Sequence, residues 1–176
     1  MFALADANNF YASCETVFRP DLRGKPVVVV SNNDGCVIAR SAEAKRMGIK
    51  MAAPLFQNER FFRQNGVQVF SSNYELYGDM SSRMMAILGE MAAGQEVYSI
   101  DESFLDVTGI GSLIPLETFG QQMRERIRRE TGLVSVWGSG RPKRWPNWPT
   151  TRPRNGPGPG VWWICQTGAG SENFCT

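Results

Sequence analysis

The residues able to do chemistry stand out first in the stretch Glu96 to Val107, which reads E-V-Y-S-I-D-E-S-F-L-D-V. Two β-rich runs, 97–100 and 103–107, flank the adjacent carboxylates Asp101 and Glu102. Asp and Glu are poor strand formers, so this pair marks either a solvated hairpin turn or a place where negative charge is needed. Adjacent carboxylates at a strand end are hard oxygen ligands of the kind Mg²⁺ takes, provided a third carboxylate arrives from elsewhere. The start of the chain offers one, because the short apolar run 2–5 ends in Asp6. A buried strand delivering Asp6 beside the hairpin would complete a two-metal cage.

Four motifs carry a resemblance. D-x-N-x-F-Y-A-S-C-E begins at Asp6, S-N-N-D-G-C-V-I-A-R at Ser31, S-S-N-Y-E-L-Y at Ser71 and Y-S-I-D-E at Tyr98. Together they resemble the N-terminal part of the UmuC-type Y-family translesion DNA polymerases, the family of the DNA polymerase V catalytic subunit, over residues 1–136. The resemblance implies template-directed nucleotidyl transfer with two Mg²⁺ ions, one acting on the primer 3′-hydroxyl and one on the triphosphate. It implies that Asp6 and Asp101 bridge both ions, that Glu102 favours the primer-side ion, and that the Ala7 carbonyl adds a backbone ligand. Tyr11 would lie under the incoming sugar and exclude a 2′-hydroxyl, with Phe10 behind it. Arg40 and Lys45 would contact the triphosphate, Lys45 being the better placed. By their residue types alone, Tyr11 reads as a half-buried aromatic and the cluster Arg40, Lys45, Arg46 and Lys50 as a solvated helix face. Partners implied are primer–template DNA and a dNTP, with a processed accessory subunit and a recombinase filament as in the family.

The elements that must position these residues follow from periodicity. Asn8 or Asn9 can cap a helix to about residue 18, with Phe10, Cys14 and Val17 on one face. Residues 19–26 form a turn cluster. The β-branched run 27–30 is a strand buried on both faces. A tight turn at 31–35 leads into a hairpin partner at 36–39. Ser41 caps a short helix ending near Gly48, and a further helix spans 55–64. Another strand covers 67–70. Ser72, with Glu75 three residues on, has the capping-box signature for the longest helix, whose apolar stripe is Tyr77, Met80, Met84, Ile87, Leu88 and Met91. A loop at 109–115 precedes an amphipathic helix over 116–130, and a strand begins at 133. Asp34, Asp79 and Asp106 read as structural carboxylates.

This order describes an α+β fold, a mixed sheet with two helices on one face and a palm-type architecture. The resemblance adds that 1–18 and 67–136 form a partial palm and 19–66 a small fingers subdomain. The chain of 176 residues carries 19 Lys+Arg and 17 Asp+Glu. Residues 1–136 hold 14 basic and 16 acidic residues, so the basic excess lies in 137–176. Four Cys without a C-x-x-C pair, and no His, argue against structural zinc and against a disulfide framework. No apolar run reaches membrane-spanning length, and Met1 leads directly into a strand, so a cytoplasmic, non-membrane protein is expected.

The pattern breaks after Val136. All five Trp, six of ten Pro and seven Gly fall in 137–176, which is expected to be irregular. The family continues here roughly as G-V-G-I-G-P-T-K-T-L-A-K-L-A-N. Trp has one codon, and the run from Trp145 to Pro149 back-translates one base out of register into Leu-Ala-Lys-Leu-Ala. The tail therefore reads as a frameshifted copy of that segment. The L-A-K lysine that contacts the triphosphate in the family falls where Asn147 stands. A truncated, inactive polymerase fragment is thus one expectation. A non-catalytic remnant that binds DNA or a partner is the alternative, and a palm-type nucleotidyl cyclase is a third.

Overall fold

The computed structural model describes residues 1–140, which form seven strands and six α-helices. The described strands form two sheets. One is four-stranded in the order β5-β6-β1-β7, built from β1 (Phe2–Ala7), β5 (Gly94–Val97), β6 (Glu102–Asp106) and β7 (Ser135–Gly140). The other is three-stranded in the order β3-β2-β4, from β2 (Val27–Val30), β3 (Val37–Arg40) and β4 (Gln68–Ser71). In the three-stranded sheet β4 runs parallel to β2, from Val27 beside Gln68 to Val30 beside Ser71.

The chain falls into two compact units. The first comprises, among the described residues, Met1–Asp6, Met84–Glu130 and 135–140. Its sheet alternates cleanly. Ala3, Ala5, Ser103, Leu105 and Val107 are buried, while Phe2, Leu4, Asp6, Glu102, Phe104 and Asp106 on the other face are only half-buried. Alanine is a weak strand former, so β1 depends on burying its small face rather than on intrinsic preference. Met84, Leu88, Met123 and Ile127, from α4 (Tyr74–Met91) and α6 (Leu116–Thr131), supply the bulk of the apolar interior. Arg126 of α6 pairs with Glu90 of α4 and with Glu130. The indole of Trp137 on β7 meets Phe119 edge-on and lies against Gly120.

The second unit comprises Ala7–Arg83 and Thr131–Val134. All four valines of β2 are buried, as a continuous β-branched run requires. Val28, Val30, Val37, Ala44, Ile49, Phe62 and Val67 form its core, which gathers the inner faces of α2 (Ala42–Arg46) and α3 (Leu55–Gln64). The helix α1 (Phe10–Val17) packs against β2 and β3. Gly132, at φ 77°, turns the chain out of α6, and a Cβ there would meet Val17 at 3.2 Å.

Five local expectations need correction. The first strand of the carboxylate hairpin is 94–97, not 97–100, because its pairing with β6 runs from Gly94 beside Asp106 to Val97 beside Ser103. The cap of α4 is Asn73, whose Oδ1 accepts from Leu76 N at 3.1 Å. Ser72 is diverted, its hydroxyl donating to Val30 O at 2.8 Å in the three-stranded sheet. Asn9 holds the capping position of α1 in the left-handed region, at φ 51°, without a side-chain cap. Residues 110–113, expected as loop, make the short helix α5 (Ile110–Leu113). The strand β7 continues through 137–140, into the stretch expected to be irregular; the remainder of the expected tail, including the proposed frameshifted run, lies outside the described residues.

Candidate active site

The half-buried face of the four-stranded sheet carries the acidic residues. β1 and β6 are antiparallel and in a register that sets Asp6 directly opposite Glu102, Leu4 opposite Phe104 and Phe2 opposite Asp106. Directly opposed residues of an antiparallel pair project from the same face with neighbouring Cβ atoms. Two segments almost a hundred residues apart in sequence therefore deliver carboxylates side by side. Like charges in that position oppose folding, so the arrangement calls for a counter-charge.

Asp101 is tied to Glu102 through the turn. The amides of Tyr98 and Ser99 both donate to Glu102 O, at 3.0 and 3.1 Å, closing the chain reversal between β5 and β6. The Ser99 hydroxyl sits inside it. It donates to Asp101 Oδ1 at 2.8 Å and reaches Glu102 Oε2 at 3.4 Å, while accepting from the amides of Glu102 (3.1 Å) and Asp101 (3.4 Å). One hydroxyl, with one proton and two lone pairs, thus links both carboxylates to both of their own amides. Sequence reasoning passed over Ser99, although its place two residues before Asp101 is the spacing of a side chain that bonds back into its own turn.

The donor set Asp6, Asp101 and Glu102 is all hard oxygen, which fits Mg²⁺ or Mn²⁺. As the side chains stand, no three acidic or other metal-ligating groups among the described residues converge on a single point. The remaining acidic residues have local uses. Asp106 accepts from Thr108, whose side chain and amide hold its carboxyl below the usual range. Asp34 accepts from Cys36 N, and Asp79 pairs with Arg83.

Ala7, Phe10, Tyr11, Arg40 and Lys45 lie in the second unit. Phe10 is buried and contacts Tyr11, their ring centroids 5.8 Å apart. Tyr11 is half-buried and stacks on the fully buried Tyr77 at 4.4 Å with planes 19° apart. Tyr74 meets both rings edge-on. Tyr77 donates its hydroxyl to Glu15 Oε1 at 2.8 Å. Burial pushes the Tyr77 phenol far above its ordinary range, and the neighbouring Glu15 carboxylate adds to this. Periodicity had put Tyr77 in an undifferentiated apolar stripe. Its pairing with α1 is a long-range contact that no local pattern encodes.

The two basic residues differ in their surroundings. Arg40 ends β3, is half-buried and donates through Nη1 to Ile49 O, while its Nε is buried without a hydrogen-bond partner. Lys45 is exposed on α2, which Ser41 caps by accepting from Ala44 N at 3.2 Å. Its ammonium makes no ion pair among the described residues, unlike that of Arg46 with Glu43. A free, exposed cation suits an anionic ligand better than a guanidinium already bonded to its own backbone.

The description of the IMS family (impB/mucB/samB family) matches residues 5–144, well over half of the chain. The chain belongs to the impB/mucB/samB family. Among impB/mucB/samB relatives, Protein UmuC of Salmonella typhimurium is 58% identical over 134 residues, covering 76% of this chain and 32% of that protein. Protein SamB of Salmonella typhimurium is 60% identical over 140 residues, covering 80% and 33%. DNA polymerase IV of Corynebacterium diphtheriae is 37% identical over 142 residues, covering 79% of this chain and 31% of that one. The chain thus spans about a third of the length of the curated relatives it matches. Among solved structures, the insertion ternary complex of Dbh DNA polymerase superposes with a TM-score of 0.70 at 26% identity, covering 78% of this chain and 42% of that chain. The α+β architecture is accordingly that of Y-family polymerases, and the Corynebacterium relative and the superposed structure are named DNA polymerases. No described helix is long and apolar enough to cross a membrane.

Proposed function

We propose that the chain carries the ion-binding and nucleotide-binding part of a translesion DNA polymerase, acting by two-metal nucleotidyl transfer. The observation that carries this reading is the register of β1 and β6, with Asp6 opposite Glu102 and Asp101 tied to Glu102 through Ser99. Two Mg²⁺ ions, when bound, would lower the pKa of a primer 3′-hydroxyl and offset the charge growing on pyrophosphate. Asp6 and Asp101 would ligate both ions, Glu102 the primer-side ion, and Ala7 would add its carbonyl oxygen.

The other residues bind and orient. Lys45 would pair with the triphosphate of a dNTP. Arg40, bonded to Ile49 O, would contribute positive potential from the base of the same segment. Tyr11, backed by Phe10 and Tyr77, would present its ring to the sugar. Primer–template DNA is the second substrate, in a cytoplasmic setting, with a processed accessory subunit and a recombinase filament as partners.

The reading is tested on the full chain by titrating Mn²⁺ and following free-ion spin resonance. Binding should weaken by about ten- to a hundredfold in Asp6→Asn and in Asp101→Asn, each of which removes one anionic ligand. Primer extension with Mg²⁺ is measured alongside, and cyclic nucleotide release from free triphosphate would point to a cyclase instead. Ion binding indifferent to both substitutions would overturn the reading.

A further inference from the structure

The tyrosine cluster of the second unit assigns a role to a residue that touches no substrate. Tyr11 and Glu15 are one turn apart on α1 and share a face. Tyr77, from α4, is 0% exposed, stacks on Tyr11 and donates its hydroxyl to Glu15 Oε1 at 2.8 Å. The same short helix therefore holds Tyr77 twice, by its ring through Tyr11 and by its hydroxyl through Glu15.

A buried phenol needs an acceptor, and an acceptor removed leaves a desolvated donor that reorients or draws in water. The 19° angle between the Tyr11 and Tyr77 planes survives only while Tyr77 keeps its orientation. Tyr11 is half-buried, so one side of its ring is set by this stack. A ring that excludes a single hydroxyl has to be held to within a fraction of an ångström, which demands support from residues behind it.

We infer that Glu15 is a positioning residue for sugar discrimination, fixing through the Tyr77 hydroxyl the surface on which the Tyr11 ring is set. The inference rests on the proposed reading of Tyr11 as the residue that meets the nucleotide sugar. Glu15 itself contacts no nucleotide. A purely structural role, satisfying a buried phenol, makes a different prediction: stability changes while selectivity does not.

The experiment measures binding of dATP and of ATP to the full chain in Mg²⁺ and takes the ratio of the two dissociation constants. Four variants are compared with the wild type: Glu15→Leu, Glu15→Gln, Tyr77→Phe and Tyr11→Ala. Glu15→Leu, which removes the acceptor, should lower the preference for dATP by about three- to tenfold, the worth of one oriented aromatic pair. Glu15→Gln retains an oxygen acceptor and should keep the wild-type ratio within about twofold. Tyr77→Phe keeps the ring but loses the hydroxyl, and should lower the ratio by about threefold. Thermal unfolding of each variant reports whether it is folded. If Glu15→Leu does not fold, Tyr77→Phe decides the matter, and a wild-type ratio there overturns the inference. If Tyr11→Ala abolishes discrimination while Glu15→Leu leaves it intact, Glu15 is not a positioning residue although the Tyr11 reading stands. Equal loss of affinity for both nucleotides, at constant ratio, also overturns it. A wild-type chain without preference between dATP and ATP overturns both readings.

Discussion

Replacing Ser99 by alanine separates two opposite effects of one hydroxyl. In the intact turn it donates to Asp101 Oδ1 at 2.8 Å, touches Glu102 Oε2 at 3.4 Å and accepts from two amides. A hydrogen bond to a charged group contributes about 1.5–3 kcal/mol, and a half-exposed turn belongs at the low end of that range. Of its two carboxylate contacts only the one at 2.8 Å lies in the normal hydrogen-bond range, so the pair of carboxylates loses about 1.5 kcal/mol of preorganisation in Ser99→Ala. If an entering ion inherits that ordering, its affinity falls by roughly tenfold. The counter-effect is competition, since the hydroxyl occupies an oxygen the ion could use. A carboxylate offers about four lone-pair sites, so the ion can take the other oxygen of Asp101 while the hydroxyl stays. Preorganisation should therefore win. The assay is Mn²⁺ titration of the full chain for wild type, Ser99→Ala and Ser99→Thr, the last keeping the hydroxyl and the affinity. An affinity that rises in Ser99→Ala would show that competition dominates, and an unchanged one that the turn orders itself without the hydroxyl.

Two further perturbations test the first unit. Gly120→Ala would ordinarily stabilise a helix interior by about 1 kcal/mol, but here an added Cβ would lie 1.6 Å from the Trp137 indole. Overpacking of that kind costs about 1–3 kcal/mol, so the variant should unfold at lower temperature by calorimetry; a higher transition temperature would mean Trp137 does not lie against α6. Asp106, with its carboxyl held down by Thr108, contributes stability that is present above its unfolded value and lost as pH falls through the folded one. Acid titration followed by circular dichroism should be steeper below about pH 4 for the wild type than for Asp106→Asn, and coincident curves would remove this role.

What the sequence determined by itself is local. The valine run at 27–30 could only be a doubly buried strand, and it is one. The stripe Met80, Met84, Ile87, Leu88 fixed both the existence and the inward face of α4. Ser41 was legible as a cap because its partner amide is three residues away. The acidic residues were legible for the opposite reason: Asp101 and Glu102 interrupt a β-rich context, and the motifs around them carry the family resemblance. Tertiary structure decided what local preference leaves nearly balanced. Ser72 and Asn73 are both good caps, and Asn73 serves because a sheet carbonyl, Val30 O, takes the Ser72 hydroxyl. The division of strands into two sheets, the pairing of Asp6 with Glu102, and the contact of Tyr77 with Glu15 and Tyr11 join segments far apart along the chain. Their energies exist only once those segments meet, so no window of sequence contains them.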